Sequence, residues 1–166
     1  MESRAKALGH AIHPMLIVFP LGLLTTAVIF DILFLFTDRT GFATAAAYAI
    51  AAGVIGGLVA AVFGLVDWLA VPSGTRARRV GLWHGLGNVV LVVLFAVSWL
   101  FRAGEEAWRP NAAALVFGFA GVVLGVVTAW LGGELVERLA VGVDDNANLD
   151  APSSLTARSV VSTRRA

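Results

Sequence analysis

The chain alternates between four long apolar runs and short polar segments. Each run has about 20 residues or more, which is enough for an α-helix to cross the hydrocarbon core of a bilayer. Proline, glycine and charged residues, which commonly end helices, separate the runs. The pattern predicts an all-α fold with transmembrane helices at about 14–36, 43–71, 81–101 and 113–136.

Short connections between the runs predict that successive helices are antiparallel, in an up-down-up-down four-helix bundle over residues 13–143. Residues 1–12 mix charged and small apolar side chains, as a juxtamembrane segment does. The first run is too long for a cleaved signal peptide, so we expect it to remain as a span. Residues 144–166 are polar without apolar periodicity and predict a disordered tail.

Composition makes a bilayer the natural solvent, since 58% of the 166 residues are hydrophobic and 14% are charged. The absence of cysteine excludes disulfides, thiolate metal sites and cysteine nucleophiles. The net charge of +1 and the scattered basic residues make nucleic acid an unexpected partner. No phosphate-binding loop, serine nucleophile elbow or zinc-protease helix occurs, so we assign no catalytic residue and do not favour an enzyme.

Lysine and arginine are distributed unequally between the two sides of the predicted bundle. Three lie on one side, namely Arg39, Arg102 and Arg109, and six on the other, namely Arg4, Lys6, Arg76, Arg78, Arg79 and Arg138. Because the cytoplasmic flanks of spans carry the excess of positive charge, this predicts that both termini are cytoplasmic.

Two predicted helices carry ladders of small residues at intervals of four. The ladders are Ala52, Gly56, Ala60 and Gly64 in the second helix, and Gly121, Gly125, Ala129 and Gly133 in the fourth. Small residues let helix backbones approach closely in lipid, so the ladders predict tight packing. They would also make room for a flat cofactor, or for a second copy of the chain if a ladder faced outward.

Each predicted helix contributes one polar group at a similar depth near the cytoplasmic end. These groups are His13, Asp67, His84 and Glu134, and Asn88 follows His84 by one helical turn. Ionisable groups inside spans are rare and usually functional. Asp31, near the other end of the first helix, is expected to be interfacial or to pair with Arg39, and we assign it no role.

Three functions fit these polar groups. His13 and His84, supported by Asn88, could ligate one b haem from opposite faces. Alternatively, a nitrogen and oxygen site for iron, manganese or zinc could form from His13, Asp67, His84 and Glu134. The third function is proton or ion handling by Asp67 and Glu134. A purely structural role is a further alternative, in which Glu134 pairs with Arg138 and Asp67 pairs with the loop arginines.

Four motifs resemble an uncharacterised family of bacterial membrane proteins, domain of unknown function 2231 (DUF2231). They are HPMLIVFPLGLL at 13–24, GLVDWL at 64–69, WHGLGN at 83–88 and WLGGELVERLAVGV at 130–143. The resemblance covers about residues 10–143 and implies a four-helix domain of the bacterial cytoplasmic membrane without an established activity. Family members are sometimes joined to Rieske-type iron–sulfur domains, which implies an electron-transfer partner. The leading hypothesis is therefore a redox-associated subunit that binds b haem or a metal at the cytoplasmic end.

Overall fold

The computed structural model describes residues 1–155. Residues 156–166, the last part of the predicted tail, lie outside the described residues. Four long apolar helices account for most of the described chain, and each is long and apolar enough to cross a membrane. They are α1 and α2, which together form the span Ile12–Thr37, then α3 at Thr40–Ala70, α4 at Arg76–Leu100, and α5 at Ala112–Gly133, extended by a π-helical turn at Glu134–Arg138.

The first span is interrupted near its start, where α1 (Ile12–Leu16) ends and α2 (Val18–Thr37) begins. Pro20 causes the interruption, because it has no N–H to donate to the carbonyl of Leu16. The backbone continues through Ile17, whose N–H donates to the carbonyl of His13 at 3.1 Å. The break therefore lies about one turn before Pro20 in the chain, close to His13.

The turn between α3 and α4 is fixed by its own residues. Pro72 restricts Val71 to an extended backbone conformation, which ends α3 at Ala70. Thr75 then caps α4, because its hydroxyl accepts a hydrogen bond from the N–H of Arg78 at 3.1 Å. Helix α4 consequently begins at Arg76.

The helices pack as two antiparallel hairpins. The first hairpin comprises α1, α2 and α3, and the second comprises α4 and α5. Contacts within each hairpin are the most extensive, α3 and α4 join the hairpins along one side, and α2 and α5 touch less along the other. Large apolar side chains cover the outside of the bundle. Such a surface belongs in lipid, so the chain is an integral membrane protein with an antiparallel four-helix bundle.

The two ends of the bundle differ in packing. We call the end that carries residues 1–11 and 139–155 the terminal end, and the opposite one the distal end. Buried residues of the spans concentrate in the distal half, around the cluster of Leu24, Ala27, Val28, Ala46, Ala49, Ile50 and Phe95. In the terminal half of the described spans, only Ala60 and Thr128 are buried. The terminal half of the described spans therefore has fewer buried residues than the distal half.

Segments from both ends of the chain meet at the terminal end. A short antiparallel pair of strands, β1 (Lys6–Ala7) and β2 (His10–Ala11), precedes α1. The amino group of Met1 donates to the carbonyl of Ala140 at 2.9 Å, and the N–H of Gly142 donates to the carbonyl of Met1 at 2.9 Å. The two ends of the described chain therefore lie on the same side of the bundle.

Polar contacts tie the described part of the tail to the N-terminal segment. Ser154 lies 3.4 Å from the Nδ1 of His10, and the N–H of Asp145 donates to the carboxylate of Glu2 at 3.4 Å. Glu2 also accepts a hydrogen bond from the ammonium of Lys6, which lowers the pKa of the Glu2 carboxyl. Asp145 and Ser154 thus lie next to Glu2 and His10.

Candidate functional site

His13 and His84 come together between the two hairpins. Their ring centres are 6.4 Å apart and the ring planes are nearly perpendicular, at 88°. His13 lies on α1 and His84 on α4, so each hairpin contributes one imidazole. Of the four polar groups that the sequence singles out, these are the two that the structure places in contact.

A backbone carbonyl of α3 holds the ring of His13. Its Nδ1 lies 2.9 Å from the carbonyl oxygen of Ala60. A carbonyl accepts only, so Nδ1 carries the proton and Nε2 presents its lone pair. Among residues 1–155, Nε2 has no hydrogen-bond partner. A Cβ on Gly64 would lie 2.9 Å from Cε1 of this ring, so glycine is required for the ring to rest against α3.

His84 is held in the same way by α5. Its Nδ1 lies 2.9 Å from the carbonyl oxygen of Thr128, which again makes Nδ1 the protonated nitrogen. A Cβ on Gly132 would lie 3.1 Å from Cε1 of this ring. Gly132 was not among the predicted packing positions, although it follows Thr128 by four residues on the face that contacts α4.

Asn88 contacts only the second histidine. Its side-chain amide donates to the carbonyl oxygen of His84 at 2.8 Å and lies 3.3 Å from Nε2 of the same ring. Asn88 lies one helical turn after His84 on the same face of α4, as the spacing of four residues predicts. Asn88 therefore positions the His84 ring, and its amide is also a hydrogen-bond donor within reach of Nε2.

Asp67 binds the N-terminal segment. Its carboxylate accepts hydrogen bonds from the hydroxyl of Ser3 at 2.8 Å and from the backbone N–H groups of Arg4 and Ala5 at 2.7 and 3.2 Å. Three donors around one carboxylate hold residues 3–5 against the end of α3. Ser3 is 5% exposed as a result.

Glu134 pairs with Arg76 across the second hairpin, at 2.5 Å. The structural alternative predicts that Glu134 pairs with Arg138. This is wrong, because the partner is Arg76 at the start of α4. Within residues 1–155, no group of three or more histidine, cysteine, aspartate or glutamate side chains is arranged to hold a metal ion. The structure thus brings together His13 and His84, while Asp67 and Glu134 have other partners.

A buried ion pair, which the sequence analysis missed, joins the hairpins at the distal end. Both guanidinium Nη atoms of Arg102 donate to the carboxylate of Asp31, each at 2.6 Å, and the two side chains are 0% and 3% exposed. Ser98 lies 3.3 Å from Arg102 and donates to the carbonyl of Ala114 at 2.7 Å. The expected pairing of Asp31 with Arg39 is wrong, because Arg39 is exposed and Asp31 faces the second hairpin.

Four of the five predicted packing glycines lie against another helix. Gly56 faces Pro20, Gly64 faces His13, Gly121 faces Phe95 and Gly125 faces Leu91, whereas a Cβ on Gly133 would meet nothing within 4 Å. All four contacts are made within a hairpin. These ridges therefore pack inside the chain.

Comparison with known sequences gives one family. The sequence model of a family described as "Predicted membrane protein (DUF2231)" matches residues 9–145, which include both histidines and both hairpins. No curated protein and no solved structure is significantly similar to the chain.

Proposed function

The chain belongs to the DUF2231 family of predicted membrane proteins, and from this premise we propose that it is a redox-associated membrane subunit that holds b haem between His13 and His84. The observation that carries the proposal is the pair of imidazoles, one from each hairpin, that meet 6.4 Å apart with Nδ1 tied to a carbonyl. A histidine whose Nδ1–H is bonded to a carbonyl is oriented to ligate through Nε2.

The distance between the rings supports two imidazoles on one metal. Two rings that each bind through Nε2 at about 2.0 Å have their centres about 6 Å apart.

The number of side chains at this point favours haem over a single iron, manganese or zinc ion. A bare ion of this kind takes four or more ligands, and the carboxylates of Asp67 and Glu134 have other partners. Haem needs only two axial ligands from the protein, since its own nitrogens supply the others. When bound, haem supplies one-electron transfer. His13 and His84 would hold it, and Asn88 would position His84.

Other features complete the proposal. The excess of lysine and arginine at the terminal end supports a bacterial cytoplasmic membrane location with both termini in the cytoplasm. A protein that exchanges electrons with the haem would then be the partner, docking near that end. Proton or ion handling by Asp67 and Glu134, and a purely structural role, are the alternatives that the experiment must separate.

The test is an absorption spectrum and elemental analysis of the detergent-purified protein from haem-sufficient cells, before and after reduction with dithionite. We expect a Soret band that shifts on reduction, lost in both His13→Ala and His84→Ala. His10→Ala is the matched control, because His10 is exposed and makes no contact with either ring. A native protein without a Soret band overturns the proposal, and a stoichiometric metal in such a protein would indicate a metal site without haem instead.

The two alternatives predict other results in the same variants. If the chain handles protons or ions, liposomes that contain the native protein should show a proton or ion flux. Liposomes that contain Asp67→Asn or Glu134→Gln should not. If the chain is a scaffold, every one of these variants should change only its thermal stability.

A further inference from the structure

The two hairpins make the same internal contacts at three successive levels. In the first hairpin, three glycines of α3 lie against the first span: Gly53 faces Leu24, Gly64 faces His13, and Gly57 lies between Pro20 of the first span and the closer Val92 of α4. In the second, three glycines of α5 each face one side chain of α4: Gly121 faces Phe95, Gly125 faces Leu91 and Gly132 faces His84. Each set runs from the distal half to the terminal half.

The numbering offset is constant within each pair of corresponding helices and differs by three residues between the two pairs. The side chains that face the glycines in the second hairpin follow those in the first by 71 residues, and the glycines themselves follow by 68. The carbonyls that hold the histidines, at Ala60 and Thr128, are also 68 apart. The segments AAGVIGGLVAAVFG at 51–64 and FAGVVLGVVTAWLG at 119–132 are identical at seven of fourteen positions. The two hairpins are therefore copies of one unit.

Equivalent residues of the two copies also meet each other. His13 contacts His84, and Asp31 binds Arg102, which lies 71 residues further along. Residues that contact their own equivalents lie on a twofold axis. Because both hairpins begin at the terminal end, this axis runs along the membrane normal, as in parallel repeats of transport proteins.

Charge breaks the symmetry on this axis. Two identical hairpins would place two aspartates, or two arginines, against each other in a buried site, where like charges repel strongly. Here the first copy carries Asp31 and the second carries Arg102, and they form a bidentate pair. A second, exposed pair joins Asp38 of the first copy to Arg109 at 3.0 Å. The first copy again carries the acid, and the base is the residue 71 positions further along.

We propose that the face of the first hairpin is an interaction surface specific for the second hairpin, and that Asp31 and Arg102 prevent either hairpin from pairing with a copy of itself. Buried charges act here on the choice of partner more than on stability, because an apolar pair of similar size would pack equally well. The inference concerns assembly and does not depend on whether haem is bound.

The test uses full-length chains carrying two different affinity tags, co-expressed and purified through one tag. The control variant is Asp38→Asn with Arg109→Gln, and the test variant adds Asp31→Leu and Arg102→Met to these. The test variant should remain folded but carry the second tag at least about tenfold more than the control, because hairpins now exchange between chains. Equal amounts of the second tag in both overturn the proposal.

A charge reversal tests the same surface independently of the apolar variant. Asp31→Arg alone places two arginines on the axis and should reduce the yield of monodisperse protein. Asp31→Arg combined with Arg102→Asp restores opposite charges and should recover a monomer that does not carry the second tag. A combined variant that is no better than the single one contradicts the inference.

Discussion

The imidazole rings of His13 and His84 meet edge-on, with their centres 6.4 Å apart. The two residues are 71 positions apart and lie in the first spans of different hairpins. Each ring is fixed from behind by the same arrangement, a carbonyl at Nδ1 and a glycine against Cε1. Ring positions set by backbone atoms change little with side-chain motion, which is the property that a ligand site needs.

The glycines behind the rings give the first prediction. Gly64→Ala and Gly132→Ala should each displace an imidazole, because the new Cβ would lie 2.9 or 3.1 Å from its Cε1. We expect a loss of about 1–3 kcal/mol in stability and a reduced Soret absorbance. Gly133→Ala is the control, since its Cβ would meet nothing within 4 Å. Thermal unfolding in detergent and the haem-to-protein ratio measure both effects, and equal behaviour of all three variants would contradict the proposed role.

The buried ion pair gives the second prediction. Asp31→Asn removes the charge that balances Arg102 in a site where both side chains are almost fully buried. An uncompensated buried charge costs about 3–5 kcal/mol, so the unfolding temperature in detergent should fall markedly. Arg39→Gln, an exposed change at the same end, should leave it unchanged. A small effect of Asp31→Asn would show that water reaches Arg102.

The spans could be predicted from the sequence because their signal is local. A run of apolar residues reports the solvent around a helix, and four runs with short connections leave few arrangements besides an antiparallel bundle. Equal depth predicts that His13 and His84 lie at the same end of the bundle, but it does not select them over Asp67 and Glu134 as the two groups in contact. Asn88 lies beside His84 because residues four apart share a helix face.

The partners of charged residues could not be predicted in this way. Arg102 follows the end of α4, and its sequence context is that of a loop, yet it enters the bundle to meet Asp31. Which face of a helix turns inward depends on its neighbours. For the same reason, the residue of α3 that packs on Leu24 is Gly53, one position after the predicted Ala52.

The third prediction concerns Asp67. Asp67→Asn places an amide among three hydrogen-bond donors and should release residues 3–5 from the end of α3. Each bond to the charged carboxylate contributes about 1.5–3 kcal/mol, so trypsin should cleave after Arg4 or Lys6 at least about ten times faster. Glu137→Gln is an exposed control. Unchanged cleavage would mean that other contacts hold the segment, whereas loss of haem would mean that Asp67 belongs to the site.

The fourth prediction concerns orientation. The chain has no cysteine, so single cysteines introduced at Arg79 or Leu149 should react with an impermeant thiol reagent only when the cytoplasmic side is exposed. Cysteines at Arg39 or Glu105 should react in intact spheroplasts. The reverse pattern would place the histidine pair near the outer surface and would require an electron-transfer partner on that side.

The fifth prediction concerns Asn88, which distinguishes the two histidines. It contacts the carbonyl and Nε2 of His84, and no equivalent amide contacts His13, where the corresponding position is Ile17. Asn88→Ala should therefore keep haem bound, because both ligands remain, but shift its midpoint potential, since groups that orient a ligand tune the metal. Spectroelectrochemical titration measures the shift, with the lipid-facing Val89→Ala as control. If Asn88→Ala loses haem altogether, the amide is needed for binding. An unchanged potential would instead leave the His84 ring fixed by the carbonyl of Thr128 alone.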